Sequence, residues 1–159
     1  MLEFKLLLLL FAANSAPVLA RNVLGERCNT AIDRGFKLRD GRFLFGPSKT
    51  WRGLVAALLS TSLAAVVLAL PVALGVIIAS FAMLGDLASS FVKRRLGKAP
   101  SDQAIFLDQI PESLLPLFAG RWLFDYSWAT VVIVTLLFML IALSVSPLLF
   151  KLGIRKRPY

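Results

Sequence analysis

The chain has 159 residues, of which 58% are hydrophobic and 17% charged, and its 18 Lys and Arg against 9 Asp and Glu give a formal charge of +9. Soluble domains are about 45–50% apolar and about 25% charged, so this composition, with a mean hydropathy of +0.77, points to a polytopic membrane protein. Histidine is absent and Cys28 is the lone cysteine, which excludes a histidine general base, a Ser–His–Asp triad, a histidine- or cysteine-built metal cage and an internal disulfide.

The first apolar stretch covers residues 2–20. It reads either as a secretory signal peptide ending at Val18-Leu19-Ala20 or as a retained helix. Glu3 and Lys5 leave its leading flank without net positive charge, and the positive flank begins after it at Arg21, which favours the retained helix. Residues 21–53 form a polar loop with Arg21, Arg27, Arg34, Lys37, Arg39, Arg42, Lys49 and Arg52 against Glu26, Asp33 and Asp40. Its glycines interrupt any long helix. Residues 54–92 are too long for one crossing, since a helix of that length runs about 58 Å against a hydrocarbon core of about 30 Å. Pro71 marks a hairpin between two spans, 54–70 and 72–92. The segment 104–124, with Asp108, Gln109, Glu112 and two prolines, reads as a span or a re-entrant segment. The stretch 127–150 is a clear span, followed by a basic tail with Arg155, Lys156 and Arg157.

Positive charge gathers on cytoplasmic loops. With five helices, the N-terminus outside and the C-terminus in the cytoplasm, all of the 18 basic residues except Lys5 and Arg121 fall on one side. The expectation is a single all-α integral membrane domain over 1–159 in the cell (inner) membrane.

Three polar clusters lie towards that side. Asn14-Ser15-Ala16-Pro17 alone suits helix packing. Residues 35–53 superficially resemble a Walker A loop, but Lys49 stands three positions after Gly46 instead of one. What remains is a glycine-rich basic loop able to offer backbone donors and cations to phosphate. In the third, Asp86, Ser89, Ser90 and Lys93 follow i, i+3, i+4, i+7 spacing and so share one helix face. An acid in a span needs a partner, so Asp86 is either one half of an ion pair or a metal or ion-pathway ligand. Asp108, with Glu112 one turn later, supplies a second acid on a neighbouring helix. Oxygen ligands of this kind suit magnesium, which takes one or two carboxylates and completes its shell with water and substrate phosphates.

These clusters, in this order, resemble the CDP-archaeol synthase family, which is related to the phosphatidate cytidylyltransferases. The matching stretches are NSAPVLA at 14–20, DGRFLFGPSKTWRG at 40–53, GDLASSFVKRRLG at 85–97 and LDQ at 107–109. Two departures are Ser15, where the family has glycine, and Ile110-Pro111-Glu112-Ser113, where it has an acid and an aromatic residue. The resemblance implies five helices and transfer of CMP from CTP to a lipid phosphate, with pyrophosphate released and Mg2+ required. It implies Asp86 and Asp108 as metal-binding and catalytic acids, Glu112 as a further candidate ligand, and Lys93 as a catalytic cation. It implies Lys49, Arg52, Arg94 and Arg95 on the phosphates, with Asn14, Thr50 and Ser89 supporting the nucleotide. The active site would face the cytoplasm, and no nucleic-acid partner is expected. A lipid phosphate monoester is already anionic, so the missing histidine is no obstacle to its attack.

Two other classes compete. A small ion or solute transporter would use Asp86 and Asp108 to coordinate its cargo. A scaffold would use the basic loops to hold anionic lipid.

Overall fold

In the computed structural model, residues 1–99, 104 and 106–151 are described; the basic tail beyond Lys151 lies outside the described residues. Five helices follow one another: α1 Leu2–Leu24, α2 Trp51–Val67, α3 Val72–Arg95, α4 Gln109–Phe124 and α5 Trp128–Lys151. Among the described residues, extended pairing is limited to two isolated bridges in the loop before α2, Ala31 with Thr50 and Lys37 with Phe43.

The breaks have local causes. Between α2 and α3 the chain turns through Ala69, with φ 50, and Pro71 then stands at the N-cap of α3. Pro lacks the donor that would continue a helix, so the hairpin falls where the sequence places it. α1 runs four residues past Ala20 to Leu24. α4 begins at Gln109, not at 104. Phe106 there adopts φ 68, which a helix excludes. The turn is fastened by side chains: the Ala104 amide donates to Asp108 Oδ2 at 2.9 Å and the Phe106 amide to Gln109 Oε1 at 3.0 Å.

α3 packs against α1, α2 and α4, and α5 lies on α4 and α1. The main core joins Leu6, Leu9 and Leu10 of α1 to Leu74 and Ile78 of α3, Leu117 of α4, and Val131, Val134 and Phe138 of α5. A smaller cluster of Ala13, Ala57, Ala82 and Met83 brings α1, α2 and α3 close together. Outside, Leu59, Leu63 and Val67 of α2 and Val132, Leu136 and Leu140 of α5 are exposed, an apolar surface suited to lipid. Trp51, Trp122 and Trp128 sit exposed at helix ends, the position of tryptophan at a membrane interface.

α1, α3 and α5 are long and apolar enough to cross a membrane unaided. α2 has 17 residues and α4 has 16, about 25 Å each against a hydrocarbon core of about 30 Å. Both begin at the end where α3 carries its last, basic turn. The opposite end holds the start of α1 and of α5, joined by the Thr130 hydroxyl donating to Glu3 Oε1 at 3.2 Å.

The loop before α2 has a hairpin-like fold without a sheet. The Leu44 amide donates to the Phe36 carbonyl and the Leu38 amide to the Arg42 carbonyl, each at 2.9 Å. The loop is clasped to α3: Arg95 Nη1 meets Asp40 Oδ2 at 2.6 Å, and Arg42 donates to the Arg95 carbonyl.

α3 and α4 cross at Gly85, where an added Cβ would collide with the Pro111 carbonyl group. The Gly85→Ala variant should therefore lose about 1–3 kcal/mol of stability. Thermal unfolding in detergent, compared with Ala88→Gly at an exposed position as a control in the same helix, checks this; equal midpoints for Gly85→Ala and the parent would refute the close crossing.

Candidate active site

The site forms where the loop before α2 meets the basic end of α3 and the start of α4. Asp86 lies nine residues before Arg95 on α3, about 14 Å from that helix end. It is reached because Lys49, two residues ahead of α2, dips towards the bundle: Lys49 Nζ stands 2.5 Å from Asp86 Oδ1. Nearer the end of α3, Lys93 Nζ stands 2.7 Å from Asp108 Oδ1. α4 runs antiparallel to α3, so the residue one turn after Asp108 falls at the depth of Asp86. That residue is Glu112, whose backbone amide lies against Gly85, the neighbour of Asp86.

Three acids and two lysines are thus gathered in a largely buried polar cluster. Burial alone would push the Lys49 ammonium down, but the charges of Asp86, Glu112 and Asp108 outweigh it and hold its pKa above the ordinary lysine value. The donor set suits a hard divalent cation bound through one or two carboxylates. Among the described residues no group of three or more acids is arranged to hold a metal ion by itself.

The other expected site residues are held differently. Thr50 is the N-cap of α2, its hydroxyl accepting from the Gly53 amide at 3.2 Å. Arg52 is buried, and its Nη1 donates to the carbonyls of Gly25 at 2.8 Å and Arg27 at 2.6 Å. Those carbonyls follow the C-terminus of α1, the negative end of that helix, so Arg52 ties α1 to α2 instead of facing the acids. Arg94 Nη2 donates to the Ala99 carbonyl at 2.9 Å. Arg95 holds Asp40 and, at 2.6 Å, the Phe43 carbonyl. Ser89 is buried and donates to the Asp86 carbonyl at 3.0 Å. Asn14 donates to the Leu10 carbonyl at 2.9 Å within α1. So Lys49, Asp86, Lys93 and Asp108 come together, while Arg52, Arg94 and Arg95 clamp the surrounding chain. Glu112, the further candidate ligand, follows Asp108 by one turn of α4.

The five-helix bundle thus sets paired charges below one end of largely apolar helices. The CarS-like family, described as CDP-archaeol synthase, matches residues 1–159. A CDP-archaeol synthase of Pyrococcus horikoshii is 32% identical over 168 residues, covering 94% of this chain and 91% of the relative. One of Aeropyrum pernix is 37% identical over 155 residues, covering 92% and 85%. A solved structure of an intramembrane enzyme for archaeal membrane lipids biosynthesis superposes with a TM-score of 0.75 at 33% identity, over 88% of this chain and 89% of that one. The chain belongs to the CDP-archaeol synthase family. It is an integral membrane enzyme of the CTP-dependent lipid cytidylyltransferase class, and the transporter reading finds no support in these relatives. The family's chemistry is consistent with use of a divalent metal.

Breaking a buried ion pair by removing one partner costs about 3–5 kcal/mol, whereas replacing both partners with apolar groups is often neutral. Lys93→Met should therefore lower the thermal midpoint in detergent, and Lys93→Met combined with Asp108→Leu should recover most of it while remaining inactive. A double variant no more stable than the single one would argue against the pair.

Proposed function

We propose that this enzyme converts an archaeol-type lipid phosphate to its CDP-activated form. The acceptor phosphate oxygen attacks the α-phosphorus of CTP, the bond from that phosphorus to the β-phosphate bridge breaks, and pyrophosphate leaves. The observation that carries this reading is the two ion pairs, Lys49 with Asp86 at 2.5 Å and Lys93 with Asp108 at 2.7 Å, gathered at one end of the bundle. Two ammonium groups able to pass to phosphate oxygens would leave their carboxylates for a divalent cation.

In this reading Asp86 and Glu112 hold Mg2+, and Asp108 supports them while setting Lys93. When bound, the ion supplies charge neutralisation and alignment of the triphosphate. Lys49 and Lys93 turn from carboxylates to phosphate oxygens, where their charge stabilises the crowded phosphates and the departing pyrophosphate. No general base is needed, because the attacking oxygen is already anionic. Thr50 and Ser89 shape the backbone under these groups, and Asn14 supports the neighbouring wall from α1. Arg52, Arg94 and Arg95 keep loop and helix ends in register. The site faces the cytoplasm, where CTP is found and where the basic loop residues are favoured. The acceptor is assigned as archaeol-based because the relatives carry that name.

Purified protein given CTP, Mg2+ and a panel of ether- and ester-linked lipid phosphates should yield a CDP-lipid and pyrophosphate, with the ether-linked isoprenoid acceptor preferred. Chelation by EDTA should stop turnover and added Mg2+ restore it. Asp86→Asn and Glu112→Gln should each lower kcat by more than about 100-fold. Absence of product with every lipid phosphate would overturn the assignment, and full activity of Glu112→Gln would remove that residue from the metal site.

A further inference from the structure

The mechanism leaves one buried acid unused. Asp33 lies in the loop before α2, at only 9% exposure, among the arginines that would be its ordinary partners. Among the described residues it forms no ion pair. Its carboxylate accepts instead from three backbone amides. Oδ2 takes Phe45 at 2.9 Å and Gly46 at 2.8 Å, and Oδ1 takes Gly35 at 3.0 Å. Burial opposes its ionisation, but these donors outweigh that and hold its carboxyl below the usual aspartate range.

The position of these bonds matters more than their number. Gly46-Pro47-Ser48-Lys49 is a tight turn with proline at its second position, closed by the Lys49 amide donating to the Gly46 carbonyl at 3.2 Å. The Lys49 carbonyl in turn accepts from the Ile32 amide at 2.8 Å. Ile32 is bonded to Asp33, and Asp33 holds the Gly46 amide. The circuit Asp33, Gly46, Lys49, Ile32 is therefore closed, and it fixes the Lys49 backbone at both its amide and its carbonyl. From this point the side chain reaches Asp86 at 2.5 Å.

We infer that Asp33 is the positioning residue for Lys49, setting where that side chain leaves the loop and hence whether its ammonium can serve the phosphates. The inference rests on the reading of Lys49 given under the proposed function. Asp33 itself touches no reacting group.

The test uses the full chain in detergent and the variants Asp33→Asn, Lys49→Ala and both together. The first readout is amide hydrogen exchange, which does not depend on catalysis. Asp33→Asn should speed exchange at residues 45–49 by about tenfold or more, the scale of a lost hydrogen bond to a charged group, with α3 unchanged. The second readout is kcat/KM for CTP. Asp33→Asn should lower it by about tenfold in the parent but by less than about twofold when Lys49 is already alanine.

Unchanged exchange at 45–49 overturns the inference. So does an equal loss of kcat/KM in both backgrounds, since Asp33 would then act on something other than Lys49. If Lys49→Ala keeps full activity, the phosphate-binding role of Lys49 falls, while the exchange result still decides whether Asp33 holds the loop. Should Asp33→Asn not fold, Pro47→Gly loosens the same circuit at its turn and must give the same two signatures; failure to do so also overturns the inference.

Discussion

A charge set inside a lipid-facing helix bundle needs an opposite charge close by, and the contact between Lys49 and Asp86 answers that need. Neither residue could occupy its place alone. Asp86 interrupts an apolar helix about 14 Å from its end, and Lys49 comes from a loop that would otherwise lie in water. Their attraction draws the loop inwards, so that α2 starts low and the polar chain forms a floor between α1 and α3. Lys93 with Asp108 repeats the arrangement nearer the surface. Two such pairs in sequence make a polar shaft down one side of α3.

The same pairs show why structure and chemistry are hard to separate here. A buried ion pair is by itself weak evidence for stability, because desolvation offsets much of the attraction. What it does provide is a set of charges already stripped of water and already close together. Phosphate groups and a divalent cation entering such a pocket exchange partners with residues that are prepared for them, and little solvent has to reorganise.

Much of this was legible in the sequence. Hydropathy located α1, α3 and α5, and Pro71 located the hairpin, because both signals are local. The start of α4 was not, since it depends on Phe106 leaving helical geometry and on Asp108 and Gln109 capturing amides of the preceding turn. For Asp86 the sequence left two readings, ion pair or ligand. The structure holds the ion pair with Lys49. The arginines were the hardest to read. A motif marks a guanidinium as available for phosphate, but only packing shows that Arg52 instead faces the carbonyls after α1. The loop's organisation was likewise hidden, because a single carboxylate replaces the periodic pairing that would have announced a sheet.

The shortness of α2 and α4 has an effect beyond the protein itself. Bilayers accommodate a hydrophobic segment shorter than their own core by thinning beside it. With 17 and 16 residues, these two helices would draw the nearby leaflet inwards at the end where the acids and lysines lie. Headgroups in that dimple would sit below their ordinary level, nearer to the buried acids. A lipid acceptor could then present its phosphate by drifting sideways within its own leaflet, its hydrocarbon tails never leaving oil. The enzyme would deform its solvent to meet the substrate, where most enzymes must lift a substrate out of it.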